Sequence, residues 1–218
     1  MTLDLMTALQ WGDSSFPNGS FGFSWGLESA IESGIVTREK FSTWLEIEIL
    51  DRWCNFDKKV IEKFWDTNFD NYAIEEERLD KYFWAEKLRK QSIQAGTVFL
   101  ESAARFGNNM AIDLNERFNT GDIFAHLSPL QGCIYRDLGL SLKTAYMVCV
   151  HGIAQQLISA GVRLHLISSL EGQQCYRELI PIIYKKICLV DNFDDLSIFS
   201  PFSELAMLSE NPQSLFIN

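Results

Sequence analysis

Apolar residues recur at three- and four-residue steps along almost the whole chain, a pattern that predicts helices and gives no convincing strand. In 37–53, Phe41, Trp44, Leu45 and Ile49 share one face, Thr37 is placed to cap the start, and Glu39 falls in the first turn. The next segment, 57–66, gathers Val60, Ile61, Phe64 and Trp65. Residues 75–106 read as one long helix or two joined ones. Leu79, Phe83 and Leu88 form the first apolar stripe, Val98, Phe99 and Ala103 the second, and Gly107 closes it. Asn108 to Thr120 is polar and weakly patterned, and is expected to be the longest loop. Ser128-Pro129 then starts a helix that Gly139 ends. Ser141 caps the next, which runs to about Ile167 and is roughly 40 Å long. Gln173 to Val190 supplies another, with Leu179, Ile183 and Ile187 aligned and Pro181 either in its first turns or kinking it.

Beyond Val190 the pattern predicts an acidic loop at 191–195, a short helix from Ser200-Pro201, and an irregular end at 211–218. The expected fold is all-α, a single-domain helical bundle of eight to ten helices over 1–218, with 202–218 a partly extended C-terminal tail. No internal repeat or low-complexity tract interrupts it.

Composition narrows the function. The chain has 218 residues and is 47% hydrophobic, enough for a sizeable core. With 19 basic and 29 acidic residues its formal charge is −10, and no basic stripe offers itself to nucleic acid. Five cysteines, at 54, 133, 149, 175 and 188, form no C-x-x-C and read as reduced thiols of a cytoplasmic protein. The start, MTLDLMTALQW, lacks the basic region of a signal peptide. Residues 144–162 carry no formal charge over nineteen positions, about a membrane span in length. Thr144, His151, Gln155, Gln156 and Ser159 interrupt them, so a buried core helix is expected and no membrane span.

The glycine-rich stretch Asp13 to Glu28, DSSFPNGSFGFSWGLE, could pass for a phosphate loop. Such a loop needs a lysine and a Ser/Thr after its glycines, and this stretch contains no basic residue. Asn18-Gly19 is instead a turn dipeptide, Gly22 and Gly26 permit tight packing, and Ser24 can cap a helix carrying Leu27, Ala30 and Ile31 that Gly34 ends. Phe16, Phe21, Phe23 and Trp25 either anchor this turn to the core or meet a partner.

Chemistry is sparse elsewhere. The three histidines, at 126, 151 and 165, have no spacing that brings them onto one metal ion with a cysteine, and no intrinsic metal site or cofactor is expected. There is no G-x-S-x-G and no recognisable Cys-His pair. The acidic runs Glu75-Glu76-Glu77 and Asp194-Asp195 read as solvated faces. A binding or scaffolding role fits better than an enzyme. A helical small-molecule binder, with a pocket beside His151, Gln155 and Gln156, is the reading from another class.

Residues 13–36, DSSFPNGSFGFSWGLESAIESGIV, closely resemble the N-terminal signature of the urease accessory protein UreF family. Asp13, Ser14, Pro17, Gly19, Ser24, Gly26, Leu27 and Glu28 match D-S-x-x-P-x-G-x-x-x-x-S-x-G-L-E in order. Arg89 to Gly96 resembles the family's R-x-Q-S-x-x-x-G, through Arg89, Ser92 and Gly96. Gly132 to Leu166 is similar to its long late helix, and Leu170 to Gln174 to the turn that follows. The tail departs. Leu215 and Phe216 remain of R-L-F-x-S, but Ser214 replaces the arginine, the upstream histidine is missing and Pro212 interrupts.

The resemblance implies a non-enzymatic, all-α, cytoplasmic protein that forms a homodimer, binds a UreD/UreH-type accessory protein and recruits a UreG-type GTPase. The assembly delivers nickel to apo-urease, and UreF would couple the GTPase's nucleotide state to that delivery. On this reading Phe16, Phe21, Phe23, Trp25, Glu28, Glu32, Leu215 and Phe216 are the candidate partner contacts. The changed tail leaves open a relative that serves another metallocentre GTPase.

Overall fold

Nine helices form the regular structure of the described residues, and no strand occurs among them. The computed structural model describes residues 2–17, 19, 26–83 and 86–189. The expected acidic loop at 191–195, the helix from Ser200-Pro201 and the tail 202–218 lie outside these residues. Helix α1 is Thr2–Trp11 and α2 is the short Leu27–Glu32. After a 3₁₀ turn at Arg38–Lys40 comes α3 over 41–66, made of an α segment Phe41–Ile47, a π segment Glu48–Asp57 and an α segment Lys58–Asp66. Then follow α4 (Tyr72–Asp80), α5 (Glu86–Arg105), α6 (Asn109–Thr120), α7 (Leu127–Asp137), α8 (Leu142–Arg163) and α9 (Ser169–Ile187).

The core is one continuous cluster. Trp11, Phe16, Phe99 and Tyr135 interlock at one end, while Phe41, Trp44, Leu157 and Ile158 lie in its interior. Helix α8 runs through it, packed against α1, α3, α7 and α9. It is long and apolar enough to cross a membrane, yet 61% of its most apolar window is buried inside the protein. That burial is what a core helix shows. Its N-cap is the expected one: Ser141 Oγ accepts the Thr144 N–H at 3.1 Å. It ends at Arg163, short of Ile167, because the chain turns at His165 with φ of 56°.

Three expectations are corrected. The first is the loop at Asn108 to Thr120, which is helix α6. Asn108 caps it, its Oδ1 accepting the Ala111 N–H at 2.8 Å and its Nδ2 donating to Asp137 at 2.8 Å. Gly121, with φ of 82°, closes it. Only Ala111 and Leu114 are buried on its inner face, so the apolar signal was thin.

The second is the break between 53 and 57. The chain is continuously helical there, with the Lys58 N–H donating to the Trp53 carbonyl five residues back. Charges on this stretch pair with one another: buried Arg52 donates through Nε to buried Glu48 at 2.9 Å and through Nη1 to half-buried Asp57 at 2.7 Å.

The third is the start of two helices. His126, not Ser128, is the N-cap residue of α7, because the Ser128 hydroxyl donates to Asp57 at 2.5 Å instead. Helix α9 begins before Gln173 with a capping box. Ser168 Oγ accepts the Glu171 N–H, and the Glu171 carboxylate accepts the Ser168 N–H. The same carboxylate pairs with Arg38, tying α9 to the turn before α3. Pro181 lies in the middle of α9.

Candidate functional site

The signature stretch is built on the end of α1. Asp13 Oδ1 accepts both the Ser15 N–H at 2.8 Å and the Ser15 hydroxyl, and the Phe16 N–H returns to the Asp13 carbonyl at 3.0 Å. The Ser15 hydrogen bonds hold the Asp13 carboxyl below its usual range. This local turn throws Phe16 inward, against Trp11 at 4.6 Å and Phe106 at 5.6 Å between ring centroids. Phe16 is therefore a core residue that offers no exposed face to a partner.

Gly19, with φ of 72°, lies against α5: a Cβ there would come 2.7 Å from the Val98 Cβ and 2.8 Å from the Ala95 carbonyl oxygen. Gly26, with φ of 87°, is the N-cap of α2. Asp13, Ser14 and Pro17 are exposed, as is Glu32, while Glu28 is half-buried. Burial raises the Glu28 carboxyl, against the pull of Lys87 and Arg163. Ser24 and the aromatics Phe21, Phe23 and Trp25 lie outside the described residues, as do Leu215 and Phe216.

The second motif explains itself through a loop that sequence reasoning did not connect to it. Arg89, Ser92 and Gly96 stand at i, i+3 and i+7, one face of α5. That face meets the segment between α6 and α7. Arg89 donates to Asp80 at 2.6 Å and lies over the Phe124 ring at 5.1 Å. Ser92 Oγ is 3.1 Å from His126 Nδ1. Gly96 abuts the Ala125 carbonyl so closely that a Cβ would lie 1.9 Å from its oxygen. Ala125 itself holds a φ of 65°, a left-handed conformation that L residues rarely adopt.

From the other side Glu76, fully buried on α4, accepts the N–H groups of Phe124 and His126, each at 2.8 Å. His126 stacks on Phe83 at 4.6 Å, and its Nε2 is 2.8 Å from Asp80. Burial lowers the His126 pKa in spite of Asp80, so the neutral ring donates Nε2–H to Asp80 and accepts from Ser92. Burial raises Asp80, but the hydrogen bonds from Arg89 and His126 outweigh it and hold the carboxyl low.

Ser92, His126 and Asp80 thus stand in hydrogen-bond sequence, the order of a hydrolase relay. The imidazole is fully buried, and the hollow that reaches Ser92, about 20 Å³, has room for little more than a water molecule. The arrangement locks a loop rather than meeting a substrate.

Glu76 gives this lock a pH dependence. Burial raises its carboxyl from 4.5 to about 7 against the N–H bonds it accepts. A carboxyl raised in the fold keeps its proton where the unfolded chain has lost it. Its contribution to stability is full below about pH 4.5 and is lost as the pH rises through about 7. The loss is on the order of 3 kcal/mol. Stability measured by urea unfolding should fall more steeply from pH 5 to 8 in the wild type than in Glu76→Gln. Equal slopes would remove Glu76 as the cause.

Two hollows flank the signature. A polar one of about 250 Å³ lies between Asp13, Ser14, Gln155, Gln156, Ser159 and Gln173, where Gln173 donates to Gln155 at 2.7 Å. An apolar groove of about 760 Å³ runs between α1, α8 and α9. His151 lines the groove, 3.3 Å from the Tyr176 hydroxyl, while Gln155 and Gln156 belong to the polar hollow. The structure therefore does not bring those three into one pocket. Among the described residues no group of three or more His, Cys, Asp or Glu side chains stands close enough to hold a metal ion.

These elements can be set beside known proteins. The UreF family model matches residues 35–180, about two thirds of the chain, from the turn before α3 into α9. The chain belongs to the UreF family. The match takes in the Arg89-Ser92-Gly96 motif and every partner of its loop. Among curated relatives, the urease accessory protein UreF of Thermosynechococcus vestitus is 27% identical over 219 residues, covering 97% of this chain and 95% of that protein. That of Trichodesmium erythraeum is 24% identical, covering 93% and 91%. That of Corynebacterium glutamicum is 23% identical, covering 85% of each. Family membership makes the chain a urease accessory protein. Such a role implies work within a urease maturation complex alongside other accessory proteins.

Proposed function

We propose that this UreF-family protein is a non-enzymatic, cytoplasmic scaffold of urease maturation. With a UreD/UreH-type partner it recruits a UreG-type GTPase and regulates it during nickel insertion into apo-urease, acting as a homodimer. The observation that carries the reading is the extent of the correspondence with urease accessory proteins, 97% of this chain against 95% of one relative. The Ser92–His126–Asp80 set, its imidazole fully buried, supports it from chemistry, since the one relay-like group in the described fold is occupied in holding the fold. Nickel is cargo here, and no residue of this chain is assigned to hold it.

The scaffold works by contact. Exposed Glu32 and half-buried Glu28 lie on α2, within the signature stretch 13–36. Phe21, Phe23, Trp25, Leu215 and Phe216 supply apolar contact area, a role that Phe16 does not share. Co-purification tests the proposal. The tagged chain, co-expressed with the UreD/UreH-type and UreG-type proteins of its own organism, should bring down both, and deleting residues 211–218 should weaken that capture without loss of helicity. Capture of neither partner would overturn the scaffold reading, and undiminished capture by the deleted chain would remove the tail from it.

A further inference from the structure

Among the described residues no element covers the apolar groove between α1, α8 and α9. Val148, Ile183 and Ile187, all buried, form its floor. Leu5 and Leu9 on one side, and Met147, Ile180 and Tyr184 on the other, form walls left between 40% and 61% exposed. So much contiguous apolar wall marks an interaction surface. Helix α1 has the converse need. Met6, which does not line the groove, is 64% exposed. At helical spacing it widens the open apolar face of Leu5 and Leu9 to some 100°.

We infer that the groove takes α1 of a second copy of this chain, each copy laying its α1 in the groove of the other. This gives the homodimer proposed above its face, and it rests on that reading. Length is the first support. The ten residues of α1 make about 15 Å of helix, and the groove follows α9 from Tyr176 to Ile187, about 16 Å. Under a two-fold axis the contact is isologous. The two α1 helices lie antiparallel at its centre, each flanked by the α9 of the other copy. One contact then covers both the groove walls and the outer face of α1. A foreign helix in the groove would leave Met6 open.

Area and charge agree. Leu5, Met6, Leu9, Met147, Ile180 and Tyr184, each with on the order of 100 Å² open, would bury about 600 Å² per copy, most of the ~800 Å² that each partner gives to a stable interface. The chain carries a formal charge of −10, so two copies pair only where their faces are complementary. Residues 1–13 hold Asp4 and Asp13 and no lysine or arginine. Helix α9 exposes Arg177, Lys185 and Lys186 against one exposed carboxylate, Glu178. Lys143 stands at the same wall, its ammonium 2.9 Å from the Tyr184 hydroxyl. The acidic helix of one copy thus meets the basic helix of the other.

Sedimentation velocity of the purified full chain tests this face, with Leu9→Glu and Ile180→Glu as single variants. Both positions are exposed, so circular dichroism should stay that of the wild type. The wild type should sediment as a dimer at low micromolar concentration. Each variant should dissociate at least about 100-fold more readily, because it places a carboxylate against apolar walls. A dimer that either variant leaves intact would overturn the inference and leave the homodimer to another face. A monomeric wild type would overturn both. Photo-crosslinking reads the geometry without charging the groove. With p-benzoyl-phenylalanine in place of Met6, irradiation of mixed isotope-labelled and unlabelled chains should join residue 6 to α1 or α9 of the other copy, seen as labelled–unlabelled peptide pairs. Absence of crosslinks between chains, or crosslinks between chains away from α1, α8 and α9, would also overturn it.

Discussion

Gly96→Ala should lower the stability of the protein by at least about 3 kcal/mol. Alanine at a helix-interior glycine normally helps by about 1 kcal/mol, so the sign of the effect discriminates. The added Cβ would stand 1.9 Å from the Ala125 carbonyl oxygen, 2.8 Å from the Leu127 nitrogen and 2.9 Å from the Ala125 carbonyl carbon. All three are backbone atoms, with no rotamer to change. The loop has nowhere to retreat, because Glu76 holds the N–H groups of Phe124 and His126 from behind. To admit the methyl group, α5 must move away from the start of α7, and Ser92 then loses His126. Urea unfolding followed by circular dichroism measures this. A Gly96→Ala protein as stable as the wild type would show that the contact relaxes freely.

Arg52→Met should cost about 3–5 kcal/mol, the range for removing one partner of a buried ion network. Glu48, Arg52 and Asp57 all belong to the π segment of α3, and Glu48 and Arg52 are almost fully buried. Burial alone would lower the Arg52 pKa, and the two carboxylates reverse that and raise it. Take the guanidinium away and buried Glu48 and half-buried Asp57 lose the cation that joins them, with Asp57 still held by Ser128. The companion experiment replaces the set together, as Glu48→Leu, Arg52→Met and Asp57→Asn. The triple variant should recover part of the loss, because isosteric replacement of a whole buried network is often neutral. A triple variant less stable than Arg52→Met would contradict the account. It would mean that the loss comes from packing rather than from uncompensated charge.

The helices were legible where apolar residues recur on one face. Trp44, Leu45 and Ile49, or Val148 and Leu157, can be read from spacing because burial demands that spacing. Helix α6 was not legible, since its capping partner Asp137 is 29 residues from Asn108 and its buried face holds little more than Ala111 and Leu114. The continuity of α3 was hidden for a related reason. Buried Arg52, Lys58 and Lys59 look like surface until their partners are known, and Lys58 finds one at the Leu189 carbonyl, 131 residues away.

The candidate site divides the same way. The spacing of Arg89, Ser92 and Gly96 was readable as a motif, but its purpose was not. Glu76 reaches its loop across 48 and 50 residues, and Ser92 reaches His126 across 34. Glu76, read as one of a solvated run of three, is fully buried. In the opening signature Phe16 is core, so aromatic character alone did not separate anchor from contact. The local Asp13–Ser15 turn decides it by aiming the ring at Trp11.

Urease activity in cells tests the central claim most directly. A strain lacking this gene, grown with nickel, should keep its urease polypeptides and lose nearly all urease activity, and the wild-type gene should restore it. Full urease activity without the gene, in a strain with no second UreF-type protein, would contradict the account.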